Sequence, residues 1–468
     1  MAKQTDWRGS VSVAVLGMAA AMATSGQAYA QGQPHQEAAD NQGLQEIVVT
    51  AQFKKQNVQD APLAITAVNA AMIEARNQTG VASLAQRAPG VQFSAGGEGG
   101  GAQTAAVTIR GIGQNDFQFP NDPGVGIYID DVYYGISFAS SFDLVDLDRV
   151  EILRGPQGTL SGKNSIGGSI KLYSQLPSAE PNAYIEGTYG SFNRVQIKAA
   201  SNFTLVPDQL YARFTGMSRH VDGYMTRLDY GCVHGTTTPG GSFATPSSGC
   251  VIGTEGGQDM FALRGALRWL PAPGIEDNLI VDYAQDNSEP SPEKLLILNG
   301  GENYITGPRS YTNYATYTGN VGTSTQYTDP AKSTTRSWGI SNNLNVELGH
   351  GLALRSITAY RFAAGGSAWD GDAAPITSSQ EYVTFRHRQF TQELRLSGQV
   401  GKWADVTVGA YLYDAHSGDG GRIDIAVAGL DFADDDIFRQ TSKSAFAHVV
   451  VHPLAGFNIT AGLRYTSE

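Results

Sequence analysis

The 468-residue chain lacks any run of about 18 uninterrupted apolar residues, which excludes a membrane-spanning helix but not a closed barrel of strands. Basic residues are outnumbered: 32 Lys and Arg face 44 Asp and Glu, a formal net charge of -12 that excludes a broad nucleic-acid surface. Cysteine is scarce, with only Cys232 and Cys250. His-Glu-x-x-His, Gly-x-Ser-x-Gly and Cys-x-x-Cys patterns are all missing, which removes the common hydrolase and redox signatures and argues against an enzyme. The acidic run "DFADDD" (Asp431–Asp436) reads as a solvated loop rather than a cation site, and no metal is expected.

Glycine, by contrast, is abundant at 56 residues. The N-terminus carries Lys3 and Arg8, then the short apolar core Val11–Ala23, then the small-x-small site Ala28–Ala30. Residues 1–30 therefore read as a secretion signal, with the mature chain starting at Gln31. Export to an oxidising compartment lets Cys232 and Cys250 close a disulfide across a loop of turn-forming residues; no clustered His or further Cys completes a metal site instead.

Two textures follow. Residues 31–43 are polar, and the β-prone segment "EIVVTAQ" (Glu46–Gln52) stands beyond them. Short helices are expected at "AAMIEARN" and "VASLAQRAPG", then short strands and glycine turns up to Leu172. After Pro181 about eleven segments alternate apolar and polar side chains, near 183–190, 193–203, 209–219, 259–270, 277–286, 335–348, 352–363, 384–397, 404–414, 437–450 and 457–467. In the last of these, Phe457, Ile459, Ala461, Leu463 and Tyr465 share one face, and Asn458, Thr460, Gly462, Arg464, Thr466 and Glu468 the other. Short turns alternate with long loops, as in an outer-membrane β-barrel.

The loop "RGPQGTLSGKNSIGGSIKL" (Arg154–Leu172) superficially suggests a phosphate clamp. Gly158 and Gly162 are too close for that motif, Asn164 stands where a hydroxyl is needed, and a strand follows where a helix should open. Its glycines are expected to allow positive φ and close approach of a neighbouring wall.

Taken together, "EIVVTAQ", "TIRGIG", "GIYIDDVYYG" and "VEILRGPQGTLSGKNSIGGSI" resemble the plug domain of TonB-dependent outer-membrane transporters, and the alternating segments resemble the start of their barrel. Ser161 departs from the pattern, since many relatives carry an aromatic there, with consequences for plug–wall packing. The resemblance implies a mainly β protein: a tether over 31–53, an α+β plug over 54–178, and an antiparallel transmembrane barrel from 182, with about half of the family's roughly twenty-two strands. The chain stops at Glu468 in mid-strand and is expected to be an N-terminal fragment.

The resemblance also assigns roles. Glu46, Ile47, Val48, Val49, Thr50 and Ala51 correspond to the TonB box, which adds a strand to a TonB-type periplasmic energy-coupling protein. Arg110 and Arg154 correspond to plug arginines that face barrel acids, here Glu393 and Glu468; separate solvated charges are the alternative. Asn115, Asp116, Phe117, Phe119 and Phe138 lie on outward plug loops and are candidate contacts for a small extracellular ligand, or alternatively aromatics that anchor the plug to the wall. No cofactor is implied. The transported ligand is most often an iron–siderophore complex in this family; vitamins and oligosaccharides are also carried. A passive porin or adhesin would lack the segment 46–52 and the plug motifs.

Overall fold

After Pro181 the alternation of apolar and polar residues is satisfied by one large sheet. In the computed structural model, eleven antiparallel strands follow one another in a single sheet, each beside its neighbour in sequence apart from the intervening loop strands. The structure describes residues 48–50, 53, 56–76, 88–95, 105–114, 119, 121–136, 146–235, 247, 249–297, 305–306, 312–314, 332–375, 380–425, 429–454 and 456–468. The expected signal segment, the residues before Val48, Ala51 and Gln52, and most of the second expected helix lie outside them. Val48–Glu468 form one unit.

Within the N-terminal part, β1 (Val48–Val49) pairs antiparallel with β2 (Gln56–Asn57). Then come β3 (Ile65–Asn69) and the single-turn-plus helix α1 (Ala70–Ala75). Asn69 caps α1 by accepting from the Met72 amide, which fixes the helix start at the expected place. β4 (Val91–Ala95), β5 (Ala105–Ile109) and β6 (Ile112–Gly113) make a small antiparallel sheet. β7 (Val125–Ile129), β8 (Val132–Tyr134), β9 (Leu147–Arg154) and β10 (Gly168–Ser174) join β3 in a mixed five-stranded sheet of order β3-β9-β10-β7-β8. β10 runs parallel to β7 and antiparallel to β9. Val68, Val107, Ile109, Val125, Ile127, Val150, Ile152, Ile170 and Leu172 form its core. Each such side chain contributes about 1.5–3 kcal/mol on burial.

The large sheet is built from β11 (Ala183–Gly190), β12 (Arg194–Val206), β13 (Leu210–Val221), β16 (Gln258–Ala272), β17 (Ile275–Asp286), β19 (Lys332–Gly349), β20 (Leu352–Asp370), β21 (Gln380–Val400), β22 (Ala404–Ile425), β23 (Leu430–Leu454) and β24 (Phe457–Ser467). These match the eleven alternating segments one for one. The later strands overrun the expected bounds, β22 reaching 22 residues and β23 reaching 25. A lipid crossing needs only about 9–11 strand residues, so the apolar cue marks that band and fades where the ladder continues beyond it. Three short strands carry no such cue: β14 (Met225–Leu228), β15 (Val251–Glu255) and β18 (Thr312–Tyr314) form a separate sheet in the loops. Next to it, Asp229 caps the short helix α2 (Tyr230–His234), and Cys232 is bonded to Cys250 with a Cα separation of 5.5 Å.

Side-chain faces follow parity. On β24, Phe457, Ile459, Leu463 and Tyr465 are between 51% and 76% exposed, as lipid-facing residues should be before lipid is added. The other face meets the plug. A Cβ at Gly462 would lie 2.6 Å from Thr159, and Glu468 reaches Lys163 at 3.4 Å. The glycine loop 155–167 makes the same contact from the plug side. Gly162 has φ +80°, and a Cβ there would fall 2.6 Å from the Arg464 guanidinium. Here the wall takes the space a side chain would need, and no phosphate is required to explain the glycine. At the departing position, the Ser161 carbonyl accepts from the Tyr128 hydroxyl at 2.5 Å, a backbone contact that needs no aromatic side chain.

Candidate functional site

The site is the seam between plug and wall, with the segment that enters it at Val48. "IDDV" closes the hairpin between β7 and β8, whose register pairs Ile129 with Val132. Asp130 and Asp131 both have positive φ, 51° and 67°, the arrangement of a two-residue hairpin turn that short acidic side chains tolerate. The turn thrusts two carboxylates at the wall. Asp130 pairs with Arg264 of β16, and Asp131 pairs with Arg355 of β20 at 2.7 Å. Just before β9, Asp146 takes both arms of Arg213 of β13 at 2.6 Å, and Thr215 donates to it at 2.7 Å. Arg213 and Asp146 side chains are only 5% and 4% exposed.

These pairs overturn the expected lock. Arg154 donates to the Pro89 carbonyl at 3.2 Å, and the Arg110 guanidinium lies beside Gly155, so both stay within the plug. Glu393 pairs with Arg395 two residues along its own strand, at 2.5 Å. Glu468 does reach the plug, but its partner is Lys163, which also holds Asp122 at 2.8 Å. The polarity is the reverse of the family-based expectation: along the hairpin turn and Asp146 the plug supplies acids and the wall supplies arginines. The physical reason is geometric. Arg110 and Arg154 flank the Pro89-Gly90 turn and Gly155, whereas the φ-positive aspartates project outward. A doubled Asp in a hairpin, set against arginines on the lumen face of β13, β16 and β20, is the signal that could have found them.

Burial raises the cost of ionising Asp131, yet Arg355, Arg395, Lys171 and the Tyr173 hydroxyl outweigh it and hold its carboxyl well below the ordinary carboxylate range. Burial pushes the Lys171 amine down, with Asp131 opposing. Tyr173, whose phenol burial pushes up, donates to Asp131 at 2.9 Å.

The same tyrosine touches Thr50, within the β-prone segment Glu46–Gln52. Thr50 Oγ1 lies 3.0 Å from the Tyr173 hydroxyl and 3.2 Å from Glu151 Oε1, and the Thr50 amide donates to that carboxylate oxygen at 3.0 Å. Glu151 is fully buried and paired with Arg149 at 2.9 Å, and the Arg149 guanidinium lies 3.9 Å above the Tyr173 ring. Val49 is 0% exposed. The tether expected to run to residue 53 is therefore docked at Val48–Thr50, where Thr50 adds hydrogen bonds to a buried carboxylate that Arg149 also holds. Glu46, Ile47 and Ala51 of the same segment lie outside the described residues.

Of the ligand-contact candidates, Asn115, Asp116, Phe117 and Phe138 lie outside the described residues. Phe119 is 7% exposed and corrects the ligand reading: its ring stacks on His387 at 6.0 Å and packs with Ile136, Ala363, Val383 and Phe385. It anchors a plug loop to β20 and β21. Lower down, Gln389 donates to the Tyr133 carbonyl at 2.6 Å and accepts from the Gly135 amide at 3.0 Å, and Tyr133 packs edge-on against Tyr413. Above the wall, Arg227 of β14 is fully buried between Glu255 and Asp370, tying the loop sheet to the end of β20. Burial pushes the Glu255 carboxyl up against the opposing pull of Arg227.

A mixed-sheet plug pinned by ion pairs inside an antiparallel transmembrane sheet defines a class: the plugged outer-membrane barrels. Residues 57–169 match the family model for the TonB-dependent Receptor Plug Domain, and this part of the chain is a plug domain of that family. Among curated relatives, the pesticin receptor of Yersinia pestis is 31% identical over 183 residues, covering 38% of this chain and 26% of that protein. The vitamin B12 transporter BtuB of Vibrio vulnificus is 28% identical over 145 residues, covering 31% of this chain and 23% of that protein. Among solved structures, the ferric yersiniabactin uptake receptor FyuA from Yersinia pestis superposes with a TM-score of 0.65 at 20% identity, over 86% of this chain and 56% of that one. The siderophore receptor PiuA from Acinetobacter baumannii gives 0.65 at 14% identity, over 88% and 58%. These structural likenesses bear on fold. The chain spans little more than half the length of the solved receptors and about a quarter of the curated relatives it matches.

Proposed function

We propose that this chain serves energy-coupled uptake of a scarce small ligand across the outer membrane, driven by a TonB-type periplasmic protein that binds the strand Glu46–Gln52. The observation that carries this reading is the docking of Thr50 onto Glu151 and Tyr173. A pull on that strand is delivered to the buried face of the plug sheet, and through Tyr173 and Asp131 to the wall arginine Arg355. A passive pore or an adhesin has no use for such a connection, and the relatives are receptors and transporters rather than enzymes. The ligand favoured is an iron–siderophore complex, in keeping with the receptors for ferric yersiniabactin and other siderophores among its structural neighbours. A vitamin, as for BtuB, or an oligosaccharide is the second reading.

Deleting Glu46–Gln52 from the full-length receptor is expected to abolish protonophore-sensitive uptake while ligand binding to cells persists. Undiminished uptake would sink the proposal. Growth rescue by ferric siderophores under iron limitation, against rescue by cobalamin or oligosaccharides, separates the ligand readings.

A further inference from the structure

The outer face of the wall changes character along its height. On β21 the outward residues run Leu396, Leu394, Gln392 and Phe390 from the short-turn end, then give way to Arg388 and Arg386. Both arginines are exposed, while Phe385, His387 and Gln389 between and beside them are buried on the inner face. The stretch from Phe390 to Val400 suffices for one lipid crossing, about 9–11 strand residues. The arginines therefore stand where the apolar band ends, on the side of the long loops, which is the outer leaflet.

Neighbouring strands repeat the change at matching register. Arg336 of β19 and Arg386 both pair with Ala364 of β20. Arg388 pairs with His416 of β22, which pairs with Arg439 of β23. Adjacent strands lie about 4.8 Å apart, so four guanidinium groups are rooted in a patch about 20 Å across. Toward the short turns, Trp338 lies 5.5 Å from Tyr360 and 6.0 Å from Phe362, an aromatic shelf beneath the cations. Arg386 sits 5.7 Å from the Phe362 ring. Charge on this face is uncompensated. Among the described residues Arg336, Arg386, Arg388 and Lys443 have no carboxylate partner, and Asp414, the acid within the patch, is held by Arg439 at 3.4 Å. The lumen arginines Arg213, Arg264, Arg355 and Arg361 each have an acid.

We propose that this patch binds the phosphate groups of an outer-leaflet glycolipid, a phosphorylated glucosamine lipid of the lipid A type. The inference is independent of the uptake reading and rests on the large sheet being an outer-membrane wall. Unpaired cations crowded on one face repel each other unless an anion lies between them. Guanidinium forks match phosphate oxygens. The spread of the four arginines suits two phosphates rather than one, the sugar lies over the aromatic shelf, and the acyl chains run along the aliphatic band. Arginines on a lipid face are costly at the bilayer midplane and tolerated at its boundary, where these stand.

The test measures lipid binding to the full-length protein in detergent by native mass spectrometry, with bisphosphorylated lipid A, dephosphorylated lipid A and phosphatidylglycerol as probes. Bisphosphorylated lipid A is expected to bind best and to weaken as salt is raised. Arg336→Gln with Arg386→Gln and Arg388→Gln is expected to bind it about tenfold less tightly. Lys402→Gln, in the turn between β21 and β22, is the charge control and is expected to bind as the wild type does. Unchanged heat-modifiable migration shows that the triple variant is folded; if it is not, the comparison of phosphorylated with dephosphorylated lipid A on the wild-type protein decides alone. Equal binding of dephosphorylated lipid A, undiminished binding by the folded triple variant, or phosphatidylglycerol bound as tightly as lipid A overturns the proposal. Displacement of lipid A by millimolar inorganic phosphate marks a site for free anions and overturns it as well. A wild-type protein that does not insert into lipid vesicles refutes the wall reading, and the site with it.

Discussion

Asp131 of the plug and Arg355 of the wall are joined at 2.7 Å across 224 residues of sequence. The carboxylate is also held by Tyr173, which in turn meets Thr50. One acidic turn residue thus stands between Thr50 and the wall.

This turn makes plug seating depend on acid. The Asp131 carboxyl is held below its ordinary value, so its unfolded form, near about 3.9, binds protons more readily than the seated one. The stability it contributes is complete above that value and is lost as pH falls toward the seated one. The denaturant midpoint for plug unseating is expected to hold from pH 7 to 5 and to fall below about pH 4. Asp131→Asn should start lower and lose most of that slope. A wild-type midpoint flat down to pH 3 would contradict the assignment.

Asp146 and Arg213 form the most deeply buried of the plug–wall pairs described. Removing either partner leaves the other charge stranded, at a cost of about 3–5 kcal/mol. A double-mutant cycle on Asp146→Asn and Arg213→Gln, followed by urea unfolding, is expected to show strong coupling. The same cycle on Arg154 and Glu393 should show coupling near zero, since their side chains bond elsewhere.

A side chain at Gly162 is opposed by the backbone, at φ +80°, and meets the guanidinium end of Arg464. Gly162→Val combines a φ of +80° with a clash against Arg464, and should destabilise plug seating by about 1–3 kcal/mol. Gly158, at which a Cβ would meet nothing within 4 Å, is the control: Gly158→Ala is expected to be near neutral. Comparable losses at both positions would refute the close-approach argument.

Reduction of Cys232–Cys250 reopens a loop of sequence separation 18, worth at most about 3 kcal/mol of chain entropy. The effect is expected to stay local. Limited proteolysis between the cysteines should speed up on reduction, while heat-stability of the barrel changes little. A collapse of the whole barrel on reduction would show that the loop sheet supports the wall.

Legibility divided along a physical line. The alternation on β24 was readable because side chains on a strand change face at every residue, and its polar face does meet the plug at Thr159, Gly162 and Lys163. The strand-like sequel to the glycine loop was readable for the same reason, as was the Asn69-capped helix. The full length of β22 and β23 was not, since beyond the lipid band no apolar face is required. The loop sheet β14–β15–β18 was not, because it includes a parallel pairing of Thr226–Leu228 with Thr312–Tyr314 far along the chain.

By itself, the sequence determined the local matters: which residues face lipid, where the eleven wall strands cross it, and that a β-prone segment precedes a glycine-rich plug. Only the tertiary structure decided who meets whom. Asp130, Asp131 and Asp146 rather than Arg110 and Arg154 bridge to the wall, and Phe119 packs against β20 and β21. Those partners lie in separate strands, and their meeting depends on the rotation and register of the plug against the sheet, which no short stretch of chain encodes.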